Sequence, residues 1–282
     1  PYVFSTVRTF EADFKQELKR QFGFDEISSE WIDHQETLYL DWNLSSFIDL
    51  LNFPNLKKIV LGSKRYFTSP NAADDMIYGQ SKVAEKDASN FALNVLKELN
   101  GLTVERYNKH FQGLDNNLIE EKGATEVPVK NMINLSNAEV SMYPADDENI
   151  PSRLENLIDG DFNTNWNPMY TTSYLIYELT LDLKEGKKIN GLRFVQANYN
   201  DNEDAISMAP EMIKIYVSND RVSWKIATYL EESIIGKTKG EINDIDFTNE
   251  IKNNSYQYVQ VRINAGPFGK YFGSRVAEIN LY

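Results

Sequence analysis

Cysteine is absent from all 282 residues. Disulfides, thiolate nucleophiles, zinc fingers and iron–sulfur clusters go with it. Histidine is scarce: only His34 and His110 are available to imidazole chemistry. Basic side chains are outnumbered, 29 Lys and Arg against 42 Asp and Glu, and the net charge of −13 is spread over both halves. Phosphate backbones and anionic lipid meet like charge here, which argues against nucleic-acid binding. No apolar run approaches the ~18 residues of a membrane span. The chain starts at Pro1 without a visible signal peptide, as a mature or trimmed chain does. There is no G-x-S-x-G, H-E-x-x-H, phosphate loop or dinucleotide fingerprint. The carboxylate clusters Asp74-Asp75 and Asp146-Asp147-Glu148 are neighbours in sequence. A glycosidase pair must instead face across a cleft about 5–10 Å wide. Catalysis is therefore not expected.

What the chain does have is core material. Sixteen Tyr, fifteen Phe and four Trp rule out disorder, and the length suits two domains. In residues 1–110, Phe10, Phe14, Leu18 and Phe22 recur at helical spacing before Gly23, a C-cap type. Asn43, Ser45 and Ser46 precede a second helix holding Phe47, Ile48, Leu50 and Leu51; Ser89 to Leu99 predicts a third, with Phe91, Val95 and Leu99 on one side. Between them lie apolar runs at 38–40, 58–61 and 102–104. Leu38 to Ile59 is 21 residues and Ile59 to Leu102 is 43, close to twice that. Both Leu56-x-x-Ile59-x-Leu61 and Leu99-x-x-Leu102-x-Val104 carry the spacing of a leucine-rich turn. An α/β domain with short parallel strands is expected, and residues 111–126, with Gly113, Gly123 and Asp115-Asn116-Asn117, suit a linker.

From residue 127 to 282 the pattern becomes alternating. Tyr177 to Leu183, Met212 to Val217, Tyr256 to Ile263 and Val276 to Leu281 read as strands bounded by Asn, Asp and Gly. An all-β sandwich follows. Its most informative stretch is Asn156 to Trp166, where Asp159-Gly160-Asp161 leads to Thr164. Carboxylates, a hydroxyl and turn carbonyls are hard-cation donors, and calcium takes six to eight oxygens. The spacing is not that of an EF-hand.

Asp13-Phe14-Lys15 through Leu18, Phe22-Gly23-Phe24-Asp25-Glu26-Ile27 and Leu38-Tyr39-Leu40 resemble the helical cap that opens internalin-like leucine-rich repeats. Pro54 to Ile59 looks like the next turn. Lys64 stands where the second repeat places Asn, and 65–83 fits no repeat, so the array is short or degenerate. The second segment resembles the F5/8 type C, or discoidin, family, which overlaps the family 32 carbohydrate-binding modules. The residues that carry this are Asp159-Gly160-Asp161-x-x-Thr164-x-Trp166, Leu181-Asp182-Leu183, Ile215 to Asp220 with Trp224, Tyr258 to Arg262 and Ala277 to Leu281. The resemblance implies a galactose-binding-like jelly roll with a structural Ca2+. Its donors correspond to the Asn156 carbonyl, the Asp159 carboxylate, the Asp161 carbonyl, both oxygens of Thr164, the Ala277 carbonyl and the Glu278 carboxylate. Trp166 and Trp224 are expected in the core.

Sugar recognition needs an aromatic face and planar polar groups. Three loops offer them: Asn167 and Tyr170; Asn198, Tyr199 and Asn200; and Phe268, Lys270, Tyr271 and Phe272. Galactose-binding members commonly carry a His at the place of Asn167, an Arg near Ala197 and an Asn before Met212. None is present, so the fold transfers and the galactose specificity does not. Such modules are often appended to glycoside hydrolases, chitobiases and sialidases among them, so a chitobiase label is compatible with a chain lacking the catalytic barrel. Two-part chains of this kind resemble surface or exported proteins of glycan-degrading gut Bacteroidetes. A non-catalytic, extracellular or cell-surface protein that binds a glycan or glycoprotein is expected. The alternative is an adhesin that grips a host or cell-surface protein through the leucine-rich part.

Overall fold

Short runs of leucine and β-branched residues next to one another favour buried parallel strands. The computed structural model describes residues 8–41, 44–69, 85–173, 175–198 and 208–282, and these divide into two units. The first holds residues up to 65 and 70–126; the second holds 66–69 and 127–282. In the first, strands β1 (Thr37–Leu40), β2 (Lys58–Leu61), β4 (Thr103–Tyr107) and β5 (Ile119–Gly123) form a sheet in the order β1-β2-β4-β5, every pair parallel. Leu38 faces Ile59 and Leu40 faces Leu61, which matches the 21-residue spacing. The next step departs from it: Ile59 pairs with Val104, not Leu102. Leu102 is used to close the preceding helix, its N–H donating to the Leu96 carbonyl beyond the left-handed Gly101.

Helix α1 (Ala12–Phe22) buries Phe14 and Leu18 and ends at Gly23, whose N–H donates to the Lys19 carbonyl. A short helix without an apolar stripe, α2 (Ser29–His34), follows; the Ser28 side chain caps it by accepting from the Trp31 N–H. His34 closes that helix on the surface. The helix expected around Phe47 is a 3-10 turn, Ile48–Asn52. Helix α3 (Lys86–Asn100) presents a different face from the one expected. Ser89, Ala92, Leu93 and Leu96 are buried with Val95, whereas Phe91 and Leu99 are exposed. Polar pins set the rotation. The Ser89 hydroxyl accepts from the Phe47 N–H, and the Asn100 amide donates to the Pro54 and Leu56 carbonyls.

Residues 111–126 are not a linker. Phe111 and Leu114 sit in the core, and β5 is the fourth strand of the sheet. The glycines and the Asp115-Asn116-Asn117 run make the turns that bring this strand home: Gly113 and Gly123 have positive φ, and Asp115 caps a 3-10 turn at Asn116–Leu118.

In the second unit, alternation drives antiparallel pairing, because one face of each strand must be covered. One sheet runs β10-β9-β13-β7-β6, with β11 also on β9. Its strands are β6 (Glu139–Tyr143), β7 (Ile176–Lys188), β9 (Met212–Ser218), β10 (Lys225–Ile226), β11 (Ser233–Ile234) and β13 (Ser255–Asn264). The other runs β16-β8-β12-β3, from β16 (Val276–Leu281), β8 (Gly191–Gln196), β12 (Glu241–Asp246) and β3 (Tyr66–Phe67). A hairpin of β14 (Gly266–Phe268) and β15 (Tyr271–Gly273) and a one-turn helix α4 (Asn249–Lys252) complete it. Between the sheets lie inward residues such as Leu179, Leu181, Phe194, Ile215, Val261 and Ile279. Trp166 is fully buried against Tyr177, as expected of a core anchor; Trp224 is half-buried. Among the described residues no helix is long and apolar enough to cross a membrane.

Phe53 is fully buried with its ring centroid 6.0 Å from each of Phe10, Phe14 and Trp31. Phe53→Ala should cost the first unit about 3–5 kcal/mol, read as a lower urea midpoint. A loss below about 1 kcal/mol would mean that this cluster does not hold the sheet.

Candidate functional site

The turn that follows the 3-10 segment Leu154–Leu157 folds on its own carboxylates. Asp159 Oδ1 accepts from the Asp161 N–H at 2.8 Å, and Asp161 Oδ1 from the Asn163 N–H at 2.9 Å. Gly160 supplies the left-handed φ of +78° that this reversal needs. The Thr164 hydroxyl lies 2.7 Å from Asp159 Oδ2 and 2.9 Å from the Asp161 carbonyl, so three oxygens of the predicted set converge.

The last strand closes on this turn. Trp166 and Val276 bridge through paired backbone bonds of 2.8 and 3.1 Å. One step later β16 carries a bulge. Val276 pairs with Gln196 and Glu278 with Val195, so Ala277 is the extra residue. Bulges re-aim side chains. Glu278 is fully buried, and its Oε2 accepts the Gly160 N–H at 3.1 Å. Among the described residues its Oε1 has no hydrogen-bond partner. Burial is the main force that pushes this carboxyl up to about 8; the Gly160 amide opposes it, and Asp159 and Asp161 add to it.

A buried carboxylate with an orphaned oxygen, facing a second carboxylate, a hydroxyl and turn carbonyls, is a hard-cation donor set. No group of three or more His, Cys, Asp and Glu gathers for a metal among the described residues. An ion here would therefore rely on carbonyl and hydroxyl oxygens beside Asp159 and Glu278. The Asn156 amide is spent on the Asn165 carbonyl at 2.9 Å.

The ligand-loop residues divide. Tyr170 stacks on Phe268 with ring centroids 4.6 Å apart, and the Thr171 and Phe272 backbones are paired. Phe268 faces Tyr271 across the Gly269-Lys270 turn, and the Lys270 ammonium lies over the Tyr271 ring at 5.1 Å. Tyr170, Phe268, Lys270, Tyr271 and Phe272 thus gather at one hairpin. Asn167 does not offer its Oδ1 to that rim, since the atom is buried without a partner among the described residues. Asn198 is exposed and belongs to the turn side, where its amide donates to the Phe162 carbonyl at 3.1 Å. Tyr199 and Asn200 lie outside the described residues. Asp146 is structural: its carboxylate accepts from the Ser152 N–H and hydroxyl. Asp74 and Asp75 also lie outside the described residues.

The model of the F5/8 type C domain matches residues 137–276. This segment is an F5/8 type C domain. Among solved structures, the F5/8 type C domain here is similar to the Clostridium perfringens module CpGH89CBM32-5 in complex with GalNAc-β-1,3-galactose. Identity is 17%, coverage is 54% of this chain and 99% of that one, and the TM-score is 0.42. It is also similar to the family 32 module of Clostridium perfringens NanJ in complex with galactose, at 16% identity, 53% and 96% coverage and a TM-score of 0.40. A third is the C-terminal domain of a chitobiase from Bacteroides fragilis, at 13% identity, 54% and 97% coverage and a TM-score of 0.42. No curated protein matches the chain.

The raised Glu278 carboxyl sets a pH dependence for the metal-free F5/8 type C domain. A carboxyl that holds its proton more tightly when folded stabilises fully below its unfolded value of 4.5, and that contribution is lost as pH rises through about 8. In chelator, thermal melts between about pH 5 and about pH 9 should show the native chain losing stability relative to Glu278→Gln, which has no proton to lose. Parallel profiles for the two proteins would contradict the buried ionisable group.

Proposed function

We propose that this chain is a non-catalytic glycan-recognition protein whose F5/8 type C domain is pinned by a structural calcium ion. The observation that carries the reading is the convergence of the Asp159 turn and Glu278, with an orphaned carboxylate oxygen, in a domain that also presents an aromatic hairpin. Asp159, Asp161, Thr164, Ala277 and Glu278 would hold the ion, with the Asn156 carbonyl. Calcium would supply countercharge only. The residues themselves tie the turn to the last strand and keep the loops in place.

Recognition falls to the hairpin. Tyr271 is partly exposed and Lys270 exposed beside it, which gives a ring face and a cation for hydroxyls. The missing His and Arg leave the sugar open, and neutral glycans suit a chain of net charge −13 better than acidic ones. This reading places the protein outside the cell, at a bacterial surface.

A second reading gives the first unit a protein partner, as a leucine-rich-repeat-like surface would. On the open face of its sheet Tyr39 is exposed with the Lys64 ammonium 5.9 Å from the ring centroid. Lys58 and Lys122 flank Glu105 there, at 2.8 and 4.0 Å. Tyr39→Ala should then abolish attachment to cells without changing glycan affinity; unchanged attachment would dismiss this face.

Two measurements test the first reading. Calcium at a hundredfold excess over Kd should raise the Tm of the native chain by about 5 °C or more, and that of Glu278→Gln by nothing comparable. An equal rise in both would remove Glu278 from the site. On a glycan array, Tyr271→Ala should weaken binding about tenfold with the fold intact. Absence of binding to any glycan by the folded native chain would defeat the reading.

A further inference from the structure

The open face of the larger sheet carries a feature that neither the turn nor the hairpin uses. Tyr143 pairs with Glu178, Glu178 with Arg262, and Arg262 with Lys214. These four residues form one row across β6, β7, β13 and β9, all pointing away from the sandwich core. At a strand spacing of 4.7–4.9 Å the row spans about 14 Å, long enough for more than one sugar ring. It floors an open groove of about 390 Å3, within the range of about 300–1,000 Å3 for ligand sites.

The row is prepared rather than merely exposed. The Arg262 Nε donates to Gln260 Oε1 at 2.8 Å, and its guanidinium lies over the Tyr216 ring at 4.3 Å. Gln260 is itself buried and donates to the Thr180 hydroxyl at 3.1 Å. The guanidinium plane is thus held from two sides. Among the described residues its two Nη groups take no protein hydrogen-bond acceptor. The Glu178 carboxylate lies 3.5 Å from Arg262 Nε, and Glu232 lies 3.5 Å from Lys214 Nζ, both pairs partly open to solvent. Tyr143, 69% exposed, stands at one end as a ring with nothing packed over it.

We propose that this row is a second binding site, for a stretch of neutral oligosaccharide laid across the strands. The proposal rests on the glycan-binding reading above and adds a site to it. Cations and carboxylates are balanced within the groove, so it favours neither anions nor cations. Fixed donors and acceptors beside an exposed ring match paired hydroxyls and the C–H face of a sugar. Within the row a peptide could add as a strand only along the β6 edge, beside the groove rather than across it, because β7, β13 and β9 lie inside the sheet. Holding several rings at once, the site should respond to chain length, whereas a single-ring pocket would not.

Isothermal titration calorimetry on the full chain can decide this, using cello-, xylo-, galacto- and manno-oligosaccharides of one to four sugars. Affinity for at least one series should rise about tenfold from one sugar to three. Tyr143→Ala and Glu178→Gln, both at solvent-open positions, should each reduce that gain about fivefold with unchanged melting temperatures. If glycans bind and only Tyr271→Ala weakens them, the groove is excluded while glycan recognition stands. If no oligosaccharide binds, both fall together.

Discussion

A carboxylate buried in protein cannot stay charged unless something compensates it, and Glu278 is such a group. The Gly160 amide donates to it across 118 residues of chain. Two other acids stand close to it, which makes ionisation costlier still. The backbone bridge between Trp166 and Val276 and the bulge at Ala277 place the acid there. Everything downstream follows from this tension. The turn and the last strand are joined at this acid by the Gly160 amide.

Elsewhere in the domain polar and aromatic groups are engaged with one another. Aromatic rings pair in the hairpin, and amides and carboxylates elsewhere are spent on turns, as at Asp146 and Asp220. Asp220 gathers the Val222 and Ser223 amides, which hold its carboxyl down at about 2. Sites built from paired strands are rigid at no extra cost, because the ladder that folds the domain also spaces the contacts.

How much of this was legible in the sequence depends on distance along the chain. Asp159, Asp161 and Thr164 lie within six residues, so their turn is visible as a pattern, and Glu278 entered through its family resemblance. The alternating strands were readable because period-two burial leaves a local signature. The row of Tyr143, Glu178, Arg262 and Lys214 left none. It exists only through the register of three antiparallel pairings, which no single segment specifies. In the first unit the same limit shows differently. The stripe Phe91-Val95-Leu99 has helical spacing, but Ser89 and Asn100 rotate the helix by their hydrogen bonds, which hydropathy does not record. Residues 111–126 look like a linker because turn residues dominate them, while Phe111 and Leu114 anchor them in the core.

The sandwich is assembled from two separate stretches of chain. Its smaller sheet ends on Tyr66–Phe67, and β12 pairs with that strand through Glu241 and Ile242. The Thr68 amide extends the seam to the Gly240 carbonyl at 2.9 Å. A fragment cut at residue 127, the boundary that composition suggests, would leave home without this border strand. The flank of β12 would then be bare, and a bare flank recruits other chains into aggregates. The domain is therefore discontinuous, and any single cut that keeps residues 66–69 with it either carries the whole first unit along or divides that unit's sheet.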